Sequence, residues 1–121
     1  MTSILIVDDD ARVRALMRGR LEIAGYRVDE ASNGEVALDM YREVPTDVVL
    51  TDIVMPGMDG REFISLLRDQ FADVRIVAIS GAIGHDVPEL LRDGQRRGAL
   101  ETLQKPFTSQ QMLDAVYAAL T

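Results

Sequence analysis

The chain has 121 residues, a net charge of −7, one histidine and no cysteine. That is one domain's length, and it excludes a disulfide scaffold, a thiol nucleophile, a cysteine zinc site and a histidine-rich metal centre. The acidic balance argues against direct nucleic-acid binding through backbone electrostatics, and no apolar run reaches a membrane span or carries the basic flank of a signal peptide. The expectation is a soluble, cytoplasmic protein whose residues 1–121 form one domain without a membrane partner.

The elements follow in chain order. Ser3–Val7 (SILIV) is an unbroken apolar run, as a parallel strand covered on both faces requires. Val13, Leu16, Met17, Leu21 and Ala24 then recur at helical spacing, leaving Arg12, Arg14, Arg18 and Arg20 as a solvent face. Gly25 sits where that helix should stop. Arg27–Ala31 predicts a weaker strand, and Ser32 with Glu35 predicts the capped start of a second helix. Asp47–Leu50 is the third strand, followed by the turn residues Pro56, Gly57, Asp59 and Gly60. A third helix carries Phe63, Ile64, Leu66 and Leu67, with Asp59 and Glu62 at its start.

Arg75–Ile79 is the fourth strand. Pro88 is tolerated only in a first turn, so the fourth helix begins near Asp86 or Val87. Leu100–Leu103 is a weak fifth strand. A last helix begins at the capping pair Thr108 and Gln111 and presents Met112, Leu113, Val116, Tyr117 and Leu120. Five strand-then-helix units imply an α/β fold, an open parallel sheet with helices on both faces.

In such sheets ligands gather beyond the carboxyl ends of the strands. Asp8, Asp9 and Asp10 follow the first strand, Thr51 and Asp52 the third, Ser80 and Gly81 the fourth, and Lys105 and Pro106 the fifth. Carboxylates gathered on one rim repel each other unless a cation sits among them. An oxygen-only ligand set favours a hard cation such as Mg²⁺. A lysine and a hydroxyl facing that cation suit a phosphoryl group, and aspartate is a competent nucleophile towards one. Singly, each residue has a plainer reading. Asp10 is best read as the cap of the first helix, Asp52 could start a turn, Ser80–Gly81 could be an ordinary loop, and Lys105 a surface lysine. Their convergence on one sheet edge points to an aspartyl phosphate.

ILIVDDD, VVLTDIVMPGMDG, VAIS and LQKPF, in this order, resemble the receiver domain of two-component response regulators, of the chemotaxis-receiver type. The resemblance covers essentially the whole chain. It implies a flavodoxin-like (βα)5 three-layer sandwich with strand order 2-1-3-4-5, and it implies roles for single residues. Asp52 matches the phosphoacceptor and belongs to the metal site as well, with Asp9 the direct Mg²⁺ ligand and Asp8 its neighbour acting through water. Val54 matches a backbone-carbonyl ligand, Ser80 the hydroxyl that moves to the phosphoryl oxygen, and Lys105 the lysine that pairs with it. The Lys105–Pro106 bond is typically cis in the family. Arg12, Val13, Leu16 and Phe107 match the region where receivers dock their donors.

The implied partners are a histidine kinase or histidine phosphotransfer protein upstream and an effector downstream. The implied chemistry is a signalling receiver's own phosphorylation and dephosphorylation, not an enzyme's turnover. One position departs from the pattern: Thr102 stands where the family commonly carries the aromatic residue of its output switch. Two other classes fit the sequence less well. A Mg²⁺-dependent phosphohydrolase usually places its nucleophile after the first strand and encloses substrate with an insertion. A flavin carrier needs a phosphate-binding loop where this chain has three aspartates. His85 reads as a solvated loop residue.

Overall fold

A computed structural model describes residues 1–81 and 86–121. Among them are five strands, β1 (Ser3–Val7), β2 (Arg27–Ala31), β3 (Val48–Asp52), β4 (Ile76–Ser80) and β5 (Glu101–Gln104). Five helices alternate with them: α1 (Ala11–Ile23), α2 (Gly34–Glu43), α3 (Gly60–Gln70), α4 (Val87–Arg97) and α5 (Ser109–Leu120). The strands pair in parallel in the order β2-β1-β3-β4-β5. This is the expected flavodoxin-like topology.

Alternation along the strands creates two cores. Ile4 and Ile6 of β1, with Leu50 and Val77, pack under Met17 and Leu21 of α1 and Met112 and Val116 of α5. Leu5 and Val7, with Val49 and Ala78, pack under α2, α3 and α4 through Leu38, Phe63, Ile64 and Leu91. The sheet therefore lies between a two-helix layer and a three-helix layer. No helix among the described residues is long and apolar enough to cross a membrane.

The helix starts follow the sequence with one correction. Asp10 caps α1, accepting from Arg12 and Val13; Asp59 caps α3, Asp86 caps α4, and Thr108 with Gln111 completes a reciprocal capping box on α5. At α2 the cap is Asn33 rather than Ser32, its side chain accepting from the Val36 N–H. The adjacent asparagine fits the same three-residue reach, with Gly34 as the first helical residue.

Three strands end later than their apolar runs do. β3 extends through Thr51 and Asp52, β4 through Ser80 and β5 through Gln104. The ladder continues beyond the hydrophobic residues, with Asp52 level with Ile79 and Ser80 level with Gln104. Three residues assigned to apolar helix faces are exposed: Leu16 at 63% and Tyr117 at 66%, and Ala24 where α1 ends. The layer packs through Met17, Leu21, Met112 and Val116, so neighbouring apolar positions overhang its edge.

The far end of α4 is tied down by α3. The Arg68 guanidinium donates to the carbonyls of Ala72, Val74 and Gly98 at 2.8 Å each. Gly94 brings α4 close to β4, where an added Cβ would lie 3.2 Å from that of Ala78. His85 and part of the segment between Ser80 and Pro88 fall outside the described residues.

Candidate functional site

The carboxyl ends of β1 and β3 flank the point where strand order reverses, with β2 on one side of β1 and β3 on the other. This is where an open α/β sheet leaves a crevice. Asp8 leaves β1 still bonded to the sheet, its N–H donating to the Ala31 carbonyl at 3.2 Å. Its side chain is buried, with one oxygen accepting from the Asp10 N–H at 2.9 Å. Asp9 is exposed on the rim. Asp52, the last residue of β3, is buried. Oxygens of Asp8, Asp9 and Asp52 all lie within 4.8 Å of one another, whereas Asp10 is occupied as a helix cap.

Lys105 enters from the end of β5. Its N–H donates to the Ser80 carbonyl at 2.9 Å, aligning it with the end of β4. Its ammonium lies 3.1 Å from Asp52 and 3.2 Å from Asp8. The Lys105–Pro106 bond is cis. Gly81 makes the approach possible, because a Cβ there would run into that of Lys105 and lie 3.1 Å from its carbonyl oxygen. Ser80 is fully buried, and its hydroxyl has no hydrogen-bond partner among the described residues. A buried hydroxyl without a partner is costly.

Burial first, and then the charge of Asp8, raise the Asp52 carboxyl above its ordinary range, although Lys105 pulls the other way. For Lys105, burial alone would lower the ammonium; the charges of Asp52 and Asp8 outweigh it and hold it above its usual value. Lys105 thus serves as internal counter-ion to two carboxylates. Three carboxylates against one ammonium leave the cluster negative, and its oxygen-only donors fit a hard divalent cation. Ser80 ends β4 one residue beyond Ile79, which lies level with Asp52, and its hydroxyl has no partner among the described residues. Val54, two residues on, is half-buried with its side chain against the apolar cluster under α2, α3 and α4.

Beside the cluster, Val13, Leu16, Met17, Arg20, Phe107 and Met112 line an apolar groove of about 420 Å³ between α1 and α5. This accounts for the exposed Leu16 and leaves Val13 at the groove wall. On the far edge, Thr102 lies in a shallower hollow of about 490 Å³ with Gln104, Gln111 and Asp114.

The periodicity missed Arg14. It falls on the helix face assigned to solvent, but its side chain is only 16% exposed. It reaches back to donate to the Asp8 carbonyl at 2.6 Å. The only sequence signal was its place one helical turn after Asp10.

Comparison with known proteins bears on the fold and the family. The family model described as the response regulator receiver domain matches residues 4–117. The chemotaxis protein CheY of Halobacterium salinarum is 36% identical over 98% of this chain and 96% of its own length. The C4-dicarboxylate transport transcriptional regulatory protein DctD of Pseudomonas aeruginosa is 38% identical over 98% of this chain, which spans 25% of that regulator. The crystal structure of CheY4 from Vibrio cholerae superposes with a TM-score of 0.89 at 31% identity, covering 99% of each chain. Fold, strand order and sequence agree over nearly the whole length, and the chain belongs to the receiver-domain family of response regulators, the phosphoacceptor signalling elements of two-component systems.

Proposed function

We propose that residues 1–121 act as one receiver domain in which Asp52 accepts a phosphoryl group from a phosphohistidine. The donor is a histidine kinase or histidine phosphotransfer protein, and the response passes to an effector in the cytoplasm. The observation carrying this reading is the Lys105 ammonium, 3.1 Å from a buried Asp52 at the edge of a three-carboxylate cluster. An Asp52 oxygen forms its bond to phosphorus as the donor's nitrogen–phosphorus bond breaks, and the departing imidazole takes up a proton. Lys105 pairs with a phosphoryl oxygen, and the unpartnered Ser80 hydroxyl donates to another. Asp9 directly, Asp8 through water and Val54 through its carbonyl would hold Mg²⁺, which supplies charge compensation on the phosphoryl oxygens. The domain catalyses only its own phosphorylation and dephosphorylation. The groove between α1 and α5, walled by Val13, Leu16 and Phe107, receives the donor.

Incubation with Mg²⁺ and acetyl phosphate or phosphoramidate should add one phosphoryl group, labile to base and hydroxylamine. Asp52→Asn should abolish the label. Equal labelling of that variant and the native chain would remove Asp52 from the reading.

Thr102 governs the second expectation. A two-state switch needs an interaction that differs between its states, and a buried aromatic ring supplies a large one. Threonine has little apolar area to bury, and its hollow beside α5 is shallow and open. Beryllofluoride, a mimic of the aspartyl phosphate, should therefore shift NMR signals at Asp52, Ser80, Lys105 and from Asp86 to Leu91, leaving Thr102 quiet. A rearrangement centred on Thr102 and the face between α4 and α5 would contradict this.

A further inference from the structure

We propose that Arg14 is a positioning residue for the carboxylate cluster, its guanidinium bridging Glu30 on β2 to the Asp8 carbonyl and so fixing the peptide that carries Asp9. This rests on the reading of Asp8, Asp9 and Asp52 as a cation site. Arg14 donates to the Asp8 carbonyl at 2.6 Å and to Glu30 Oε1 at 3.1 Å. The other Glu30 oxygen accepts from Arg18 at 2.9 Å, and Arg18 also donates to Glu22 at 3.3 Å. An ion-pair string thus runs along α1, crosses to the edge strand and ends on the backbone of the site. Arg18 first, and then Arg14, hold the Glu30 carboxyl below its ordinary range despite burial, so Glu30 stays charged.

Asp8 is bound at every polar group. Its N–H is bonded to Ala31, its two carboxylate oxygens to Asp10 and Lys105, and its carbonyl to Arg14. Asp9 is different. Its carboxylate receives no hydrogen bond among the described residues, so its place is set by the backbone alone. The peptide is planar, so fixing the Asp8 carbonyl fixes the amide of Asp9 as well. Without Arg14 that plane is free to turn, carrying the exposed carboxylate away from Asp8 and Asp52.

Electrostatics predicts the opposite sign, which makes the idea testable. A guanidinium near carboxylates repels a cation, so its removal by charge alone would tighten Mg²⁺ binding. Positioning predicts weaker binding. Mg²⁺ should be titrated into the unphosphorylated native chain, Arg14→Gln, Arg14→Lys and Arg42→Gln, followed by calorimetry or amide NMR. Arg42 on α2 pairs with Asp39 of the same helix and with Gln70 of α3, away from the cluster, and its variant should bind as the native chain does. Arg14→Gln should raise the Kd roughly tenfold, as loss of a residue supporting a metal ligand does. Arg14→Lys keeps the charge but loses the fork across Asp8 and Glu30, and should bind between native and Arg14→Gln. Native or tighter binding by Arg14→Gln overturns the proposal; should that variant not fold, native affinity in Arg14→Lys overturns it. A native chain that binds no Mg²⁺ at all removes the cation site itself, a separate failure visible before any variant is compared.

Discussion

Gly60→Ala should destabilise the protein by about 3 kcal/mol, the upper end of the usual cost of overpacking. Gly60 is the first residue of α3, and its N–H donates to the Ile53 carbonyl at 2.8 Å. A Cβ there would run into the Asp52 carbonyl oxygen and lie 2.6 Å from the Ile53 Cα and 3.0 Å from the Asp52 carbonyl carbon. All three obstacles are backbone, so no side-chain rotation relieves them. Either α3 lifts from the sheet or the end of β3 shifts, and Asp52 moves with it. The roughly 1 kcal/mol by which alanine exceeds glycine as a helix former offsets only part of this. Gly19, inside α1, supplies the contrast, because a Cβ there meets nothing within 4 Å. Gly19→Ala should stabilise by roughly 0.5–1 kcal/mol. Urea unfolding of the two variants beside the native chain measures both, and a native midpoint for Gly60→Ala would refute the close approach.

Saturating Mg²⁺ should raise the stability of the native chain by about 2.7 kcal/mol at a hundredfold excess over its Kd, or roughly 10 °C in Tm. Asp9→Ala should lose that gain and melt no lower than the native chain without metal, because one of three neighbouring negative charges is gone. The pH dependence follows from Asp52. Its folded-state carboxyl is raised by burial and then by Asp8, so the folded chain takes up this proton more readily than the unfolded one. Its charge therefore opposes folding above its folded pKa; the penalty fades as pH falls through that pKa and is gone below the unfolded value. Proton and metal relieve the same charge, so the Mg²⁺ increment should be largest near neutrality and shrink in acid. Thermal melts with and without Mg²⁺ across that range are the measurement. Identical melting temperatures would argue against any cation at this rim.

The positions of Asp8, Asp52, Ser80 and Lys105 were legible because each directly follows a short run of strand-forming residues, and parallel strands deliver such ends to one edge. The strand ends themselves were less so. Thr51, Asp52 and Ser80 are polar yet buried within the ladder, and hydrophobic pattern stops reporting a strand where polar residues continue its hydrogen bonds. Gly60 read as turn chemistry, whereas its role is a steric one between segments that only the fold brings together. Arg14 was hidden for a related reason. Helical periodicity assigns a long cationic side chain to solvent, but its guanidinium can fold back over the helix end to a carbonyl six residues earlier. The receiver resemblance supplied roles for the aspartates and offered nothing about this support.

The Arg68 tie has a mechanical consequence for α4. Its three carbonyl partners fasten the Gly98 end of the helix to the α3–β4 turn, while the opposite end lies just past Ser80. An anchored end is a fulcrum, and the helix becomes a lever arm of about 16 Å at 1.5 Å per residue. A tilt of about 10° would leave Gly98 in place and carry the Asp86 end through roughly 3 Å over that length. A displacement is thus largest at the Asp86 end of α4, and it dies away towards Arg96 and Arg97.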